Sequence, residues 1–189
     1  MRKYVSFWVI ILFIILTAGC TITHEFGPFM GKVVDAETGE PIEGAVILIV
    51  FSLESSSLGG SVNSFADAIE TLTDAQGEFK FTPKRINFFK MNASWDDDYQ
   101  VSIFKPGYGA YPGHQQAYSS WKKKQSRLIP EDEYITYYLP KLATIEEKKK
   151  NLRNVPAPAG IPNEKMPNMQ RLQSEERVNI GLKPYKKWR

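Results

Sequence analysis

Seven consecutive apolar residues, 45–51, most restrict how this chain can fold. They read Ala-Val-Ile-Leu-Ile-Val-Phe and follow Gly44. The run is far shorter than the roughly 20 residues that a membrane-spanning helix needs. Its β-branched side chains favour a strand over a helix, and a continuous apolar run of this length is typical of a strand without a solvent-facing side. The sequence therefore predicts a β-strand that is buried on both faces.

Other short β-prone segments are separated by turn-forming residues. Strands are also predicted at residues 31–35, 70–73, 78–81, 86–90, 99–104 and 134–139. In the alternating segment 78–81, Phe79 and Phe81 are predicted to face the core. Residues 55–64, rich in serine and glycine, are predicted to form a flexible connection. Several short strands with turns between them indicate an all-β sandwich.

Four motifs carry a family resemblance. They are Gly-Lys-Val-Val-Asp at 31–35, Thr-Gly-Glu-Pro-Ile-Glu-Gly-Ala-Val at 38–46, Thr-Asp-Ala-Gln-Gly-Glu-Phe at 73–79, and Val101 followed by Pro-Gly-Tyr at 106–108. In order and spacing they resemble the carboxypeptidase regulatory-like domain. The resemblance implies a seven-stranded antiparallel, Ig-like or transthyretin-like β-sandwich over residues 31–142. Segments 52–70 and 109–132 are longer than the usual loops of that domain.

The turn residues of these motifs are interpreted as structural. Gly39 and Gly77 permit a positive φ, and Asp35 and Asp74 are predicted to accept hydrogen bonds from backbone N–H groups in the same turns. No chemistry is assigned to them.

The opening of the chain predicts where the protein resides. Arg2 and Lys3 precede an apolar stretch, and Thr-Ala-Gly at 17–19 leads to Cys20, the only cysteine. A basic start, a short apolar run and small residues are typical of a secretory signal. With a cysteine next, the pattern resembles a bacterial lipoprotein signal. The resemblance implies cleavage before Cys20 and acylation of Cys20 with chains such as palmitate; the alternative is an uncleaved N-terminal anchor.

The resulting organisation is a signal peptide at 1–19, a tether at 20–30, the sandwich at 31–142 and a basic extension at 143–189. Two or three acyl chains hold a protein stably on a membrane. Thr21 stands where an aspartate would favour retention in the inner membrane, so the expected address in a Gram-negative cell is the outer membrane, facing the periplasm.

Charge is distributed unevenly along the mature chain. Residues 20–140 carry 10 basic and 16 acidic side chains, whereas residues 141–189 carry 12 basic and 5 acidic ones. Either the tail folds back on the body, or it meets an anionic surface, or it is simply solvated. An extracytoplasmic address and an acidic body argue against a nucleic-acid partner.

The basic extension is predicted to contain helices at 142–154 and 168–180, joined by a proline-rich linker at 155–162. The second helix is expected to dock on its own sandwich or on an envelope protein partner. In the second case, deleting residues 155–189 would leave a folded sandwich that has lost its partner.

Residues suited to catalysis are scarce. The two histidines, His24 and His114, form no HxxE or HExxH spacing, and no serine lies in a GxSxG context. Residues 96–98 are three adjacent aspartates without the spacing of an EF-hand, and they are interpreted as a solvated loop. The sequence therefore predicts a non-catalytic protein without a metal or another cofactor.

The best candidate for ligand binding is the glycine-rich aromatic loop 108–121. Its candidate residues are Tyr108, Tyr111, His114, Tyr118 and Trp121. Aromatic rings beside polar side chains can stack on a sugar and hydrogen-bond its hydroxyl groups. The alternative is that these rings pack the loop against the sandwich. The predicted function is thus an envelope lipoprotein, attached to the membrane through Cys20, that acts as a binding or scaffold module; the alternative is a glycan-binding module.

Overall fold

The computed structural model describes residues 22–57, 59–88, 93–96, 99–121, 126–155 and 160–185. Within these ranges strands are the commonest regular structure. The strands are β1 (Ile22–Phe26), β2 (Phe29–Asp35), β3 (Val46–Ser57), β4 (Gly60–Leu72), β5 (Glu78–Phe81), β6 (Lys84–Phe88), β7 (Ala93–Trp95), β8 (Gln100–Phe104), β9 (Tyr118–Ser119) and β10 (Tyr134–Leu139). The helices are α1 (Ile145–Asn154), a 3-10 turn (Asn163–Lys165) and α2 (Pro167–Asn179).

The strands form two larger sheets and one small one. The first sheet has the order β5-β2-β10-β9. In the second, β3 pairs with β4 along one edge and with β8 and β7 in succession along the other. Strands β1 and β6 make a separate antiparallel ribbon. This architecture confirms the predicted all-β sandwich with a helical C-terminal extension.

Two features depart from the seven antiparallel strands expected. The described residues contain ten strands, of which several are very short. In addition, β2 and β10 pair in parallel, with Gly31 opposite Ile135 and Val33 opposite Tyr137. A parallel pair joins segments about 100 residues apart, and hydrophobic patterning within each segment carries no information about such a partner.

Strand β3 is buried on both faces, as its sequence predicted. Ile47, Ile49 and Phe51 belong to the core between the sheets. The alternate residues, Val46 and Leu48 with Val50, face the other way and pack in a second cluster with α2. All six are at most 2% exposed. The continuous apolar run therefore exists because one strand contributes to two cores.

The second cluster shows where the C-terminal extension lies. Met169 and Leu172 of α2 are 0% and 3% exposed and pack on β3 and on Phe104 of β8. The Glu70 carboxylate accepts hydrogen bonds from the backbone N–H groups of Asn168 (2.5 Å) and Met169 (3.0 Å) at the start of the helix. Of the alternatives left by the sequence, docking on the chain's own sandwich is the one observed.

Polar contacts hold the extension at both ends of α2. Near its start, Lys165 forms an ion pair of 2.7 Å with Asp67 of β4. Near its end, the fully buried Glu176 accepts a hydrogen bond from the N–H of Gly107 at 3.1 Å. The expectation that the sandwich folds without residues 155–189 conflicts with this packing, because removing them would expose the second apolar face of β3.

Two segments predicted to be irregular are strands. The tether was placed at 20–30, but residues 22–26 form β1 and β2 begins at Phe29. Of the segment 55–64, predicted to be a flexible connection, residues 55–57 and 60–64 are paired as the end of the β3–β4 hairpin, with Ser55 opposite Val62 and Ser57 opposite Gly60. Serine and glycine composition misled here because cross-strand hydrogen bonding is independent of side-chain identity.

The turn motifs behave as predicted. The Asp35 carboxylate accepts hydrogen bonds from the N–H groups of Glu37 and Thr38 at 2.8 and 3.2 Å. Asp74 does the same for the N–H groups of Gln76 and Glu78. Gly39 and Gly77 have φ values of 73° and 74°. The motif residues thus terminate strands and reverse the chain, and Phe79 and Phe81 face the core at 5% and 9% exposure.

In the part of the chain that the structure describes, no helix combines the length and the apolar character needed to cross a bilayer.

Candidate functional site

The aromatic loop is fixed to the sandwich at several points. Tyr111 forms a two-way backbone bridge with Ile103 of β8, with N···O distances of 3.0 and 2.9 Å. The N–H of Gly109 donates to the carbonyl of Pro140 at 2.8 Å. The loop is therefore held between β8 and the end of β10, and its side chains have defined positions.

Tyr111 and Trp121 pack inward. Tyr111 is 0% exposed and contacts Tyr137 edge-to-face, with 4.9 Å between ring centroids. Its hydroxyl donates to Ser119 Oγ at 3.3 Å and accepts from the N–H of Ser126 at 3.1 Å. Burial raises the pKa of Tyr111, so the phenol stays protonated. Trp121 is partly buried against the same core. For Tyr111 the structure supports the packing alternative, because its ring has no open face for a sugar.

Tyr108 and Tyr118 have different surroundings. Tyr108 is partly buried, and its pKa is raised by burial and by the neighbouring Asp35. Tyr118 is 42% exposed at the sheet edge and stacks on Tyr138 of β10, with the rings 4.5 Å apart and 8° from parallel. The five candidate residues thus do not form one aromatic surface.

The remaining candidate, His114, lies in a cleft between the loop and α1. The cleft has a volume of about 400 Å³. Its walls are the loop residues Gly113, His114, Gln115 and Gln116 and the helix residues Glu147, Lys150, Asn151 and Asn154. The helix residues are spaced i, i+3, i+4 and i+7 and therefore share one face of α1.

The position of the helix is set by Asn151. This side chain is 2% exposed; its Oδ1 accepts from the N–H of Ala110 at 2.8 Å and its Nδ2 donates to the carbonyl of Tyr108 at 3.0 Å. The start of α1 is fixed by a capping box in which Thr144 Oγ1 accepts from the Glu147 N–H and Glu147 Oε2 accepts from the Thr144 N–H. Both walls of the cleft are consequently preorganised.

His114 is held tightly against Gly109. A Cβ atom at Gly109 would lie 2.6 Å from Cγ of the imidazole, so only glycine fits beneath the ring. His114 Nδ1 accepts a hydrogen bond from the N–H of Gln116 at 3.3 Å, which assigns the proton of the neutral ring to Nε2. Burial lowers the pKa of His114; Glu147 opposes this shift and Lys150 adds to it. The imidazole is therefore neutral at pH 7.

The cleft is thus lined by amides, one ammonium group, one carboxylate and a neutral imidazole. This set can exchange hydrogen bonds with hydroxyl or amide groups of a ligand. Across the described residues, no three histidine, cysteine, aspartate or glutamate side chains are grouped to hold a metal ion. Asp96 accepts a hydrogen bond from Asn63 Nδ2 at 2.8 Å, and the other two aspartates of that run lie outside the described residues.

Sequence reasoning found His114 but missed the helical wall of its cleft. The sequence correctly predicted a helix in this region, but it did not predict that this helix, α1, packs beside the loop. The repeated polar residues at 147, 151 and 154 were a usable signal, since they place one polar stripe on the helix. Cys20 and the lysines at 122–124 lie outside the described residues.

Comparisons of this chain with protein-family models, curated proteins and solved structures find no match.

Proposed function

We propose that this protein is a lipid-anchored envelope lipoprotein whose β-sandwich serves as a non-catalytic binding or scaffold module. The observation that carries the proposal is the placement of Cys20 directly after a signal-like opening. The address is the outer membrane on its periplasmic side if the host is Gram-negative. Anchoring raises the effective concentration of the module for partners on the same surface.

The proposed family is the carboxypeptidase regulatory-like domain. Support comes from the turns that the motif residues build, since Asp35, Gly39, Asp74 and Gly77 all reverse the chain between strands. A scaffold role agrees with this use of the motif, because its polar residues are engaged in backbone hydrogen bonds.

The anchor is tested by Cys20→Ser in cells supplied with labelled palmitate. We expect the wild-type protein to incorporate label and to require detergent for extraction, and the variant to accumulate as an unlabelled precursor. A matched Thr21→Ser variant should behave like the wild type. Equal labelling of wild type and Cys20→Ser would contradict the proposal.

A second candidate function is glycan binding, and the cleft at His114 favours it. The cleft offers amide and imidazole groups beside one ammonium and one carboxylate on two preorganised walls, and this set of hydrogen-bonding groups suits a saccharide with hydroxyl and acetamido groups. Gln115 and Asn154 line it and are exposed, so their side chains are open to a ligand. In this proposal the ligand binds in the cleft, and His114 is the one candidate residue of the aromatic loop that lines it.

Titration calorimetry with the tetramer of N-acetylglucosamine tests this candidate. Removing one hydrogen bond costs about 1 kcal/mol, so Gln115→Ala and Asn154→Ala should each weaken binding roughly fivefold. Tyr118→Ala, outside the cleft, is the control and should bind normally. Loss of binding in the control alone would move the site to the Tyr118–Tyr138 stack, and absence of binding by the wild type would reject a site for this saccharide.

A further inference from the structure

The first strand begins unusually close to the proposed anchor. Ile22 is the first residue of β1 and is paired with Phe88 of β6. Only Thr21 separates it from Cys20. Two residues of extended chain span at most about 7 Å. If Cys20 is acylated, the sandwich cannot stand away from the membrane on a long tether.

Contacts along β1 show which end of the sandwich carries Ile22. The ring of Phe26 lies between two rings of the second sheet, 4.5 Å from Phe51 at the middle of β3 and 4.9 Å from Trp95 of β7. Further toward the N-terminus, the ring of His24 lies 6.2 Å from that of Trp95, and Trp95 pairs with Leu53. Traced from Phe26 back to Ile22, β1 therefore runs toward the same end of the sandwich as the β3–β4 hairpin.

The same end carries the tip of the β3–β4 hairpin, defined here as residues 55–57 of β3 and 60–63 of β4. The hairpin pairs as far as Ser57 with Gly60, whereas the last residue of β3 that pairs with β7 is Ser55. At about 3.3 Å per residue, the two residues of β3 after Ser55 carry the tip about 7 Å beyond its pairing with β7. That extension is comparable to the reach of the chain from Ile22 to Cys20.

The composition of the hairpin tip suits a bilayer surface. Residues 55–66 contain no charged side chain. Val62 is an apolar side chain that is 55% exposed. Two carboxylates border the tip: Glu54 accepts a hydrogen bond from the Ser61 hydroxyl, and Asp96 accepts one from Asn63 Nδ2 at 2.8 Å. Both bordering carboxylates already have a polar partner in the hairpin, and the exposed valine gains apolar contact when the tip meets lipid.

We propose that the hairpin tip rests on the bilayer that holds the acylated Cys20, so that the β3 axis points away from the membrane. This inference rests on the proposed lipid anchor. It places the opposite end of the sandwich, with the exposed turn residue Glu43 just before β3, farthest from the lipid. The 12 residues of β3 separate the two ends by roughly 40 Å.

The proposal is tested with the full acylated protein purified from membranes and placed in vesicles of phosphatidylethanolamine and phosphatidylglycerol. Val62→Cys and Glu43→Cys are labelled separately with a maleimide fluorophore, and quenching by nitroxide-bearing lipids is measured. The wild type is the control for the anchor: an acylated Cys20 has no thiol, so it should take no label.

We expect quenching to be several-fold stronger at position 62 than at position 43. Equal quenching, stronger quenching at position 43, or quenching at neither position would overturn the orientation while leaving the anchor intact. Labelling of the wild type would instead show a free Cys20 thiol and reject the proposed function together with this inference.

Discussion

Gly31 lies where the backbones of β2 and β10 leave no room for a side chain. In the parallel pair of β2 and β10 it faces Ile135, and a Cβ atom at Gly31 would overlap the carbonyl oxygen of that residue. The glycine is needed for sheet pairing, a reason that is separate from its place in the sequence motif.

We predict that Gly31→Ala lowers the free energy of unfolding by about 3 kcal/mol, because β2 and β10 must separate to admit the methyl group. Gly59→Ala is the matched control, since nothing lies within 4 Å of its Cβ position. Its effect should stay within about 0.5 kcal/mol. Urea denaturation of both variants measures the difference, and similar midpoints would contradict the close approach.

Asp67 is the residue at which acid should weaken the fold. It is 8% exposed and binds Lys84 and Lys165 at 2.8 and 2.7 Å. Burial raises the pKa of this carboxyl, but hydrogen bonds from Lys165, Lys84 and the Ala68 N–H outweigh burial and hold the pKa below its ordinary value of 3.8. Because the folded-state pKa is lowered, this stabilisation is present above the ordinary value and is lost as the pH falls through the folded-state pKa.

Asp67→Asn should therefore cost about 2 kcal/mol at neutral pH and make the loss of stability below about pH 4 shallower. The comparison is thermal unfolding between pH 7 and pH 2 beside Glu25→Gln, which removes an exposed ion pair with Arg85 and should change little. If Asp67→Asn loses stability below pH 4 as steeply as the wild type, other carboxylates control acid unfolding.

At the scale of elements, α2 is a structural part of the sandwich. Leu172 packs on the outer face of β3 and is 3% exposed, whereas Val178 on the same helix is 57% exposed. Truncating a buried leucine leaves a cavity, and truncating an exposed valine does not.

Leu172→Ala should destabilise the protein by about 3 kcal/mol, and Val178→Ala should lie within about 0.5 kcal/mol of the wild type. Thermal unfolding followed by circular dichroism separates the two. Wild-type stability of Leu172→Ala would mean that α2 does not cover β3 in solution.

Prediction from sequence succeeded where the signal was local. The doubly buried β3, the alternation of Phe79 and Phe81, and both helices follow from residue patterns within a few positions. It failed for the parallel β2–β10 pair and for β1, because these depend on partners remote in sequence. It failed for the hairpin tip because serine and glycine there indicated a flexible connection, whereas the segment pairs locally. The apolar run in β3 did imply a second covering layer, and α2 supplies it.

The candidate site was predicted in part. His114 and its loop were found because aromatic and glycine residues are concentrated there. Within that loop, however, Tyr111 is buried in the core, whereas His114 lines the cleft. The difference is set by contacts with Tyr137 and with α1, which sequence spacing does not encode.

At the scale of the whole molecule, one chain combines a proposed acylation site at Cys20, a first strand that begins two residues after it, and a tail that completes the second core. Under the proposed function, these features place the sandwich directly at a membrane surface. Both the proposed function and the proposed orientation depend on the modification of Cys20.

The most direct test is the intact mass of the mature protein extracted from native membranes in detergent. We expect a chain that begins at Cys20 and carries a diacylglyceryl group on sulfur and an acyl group on the amine. A chain that still begins at Met1, or one with an unmodified Cys20, would contradict it.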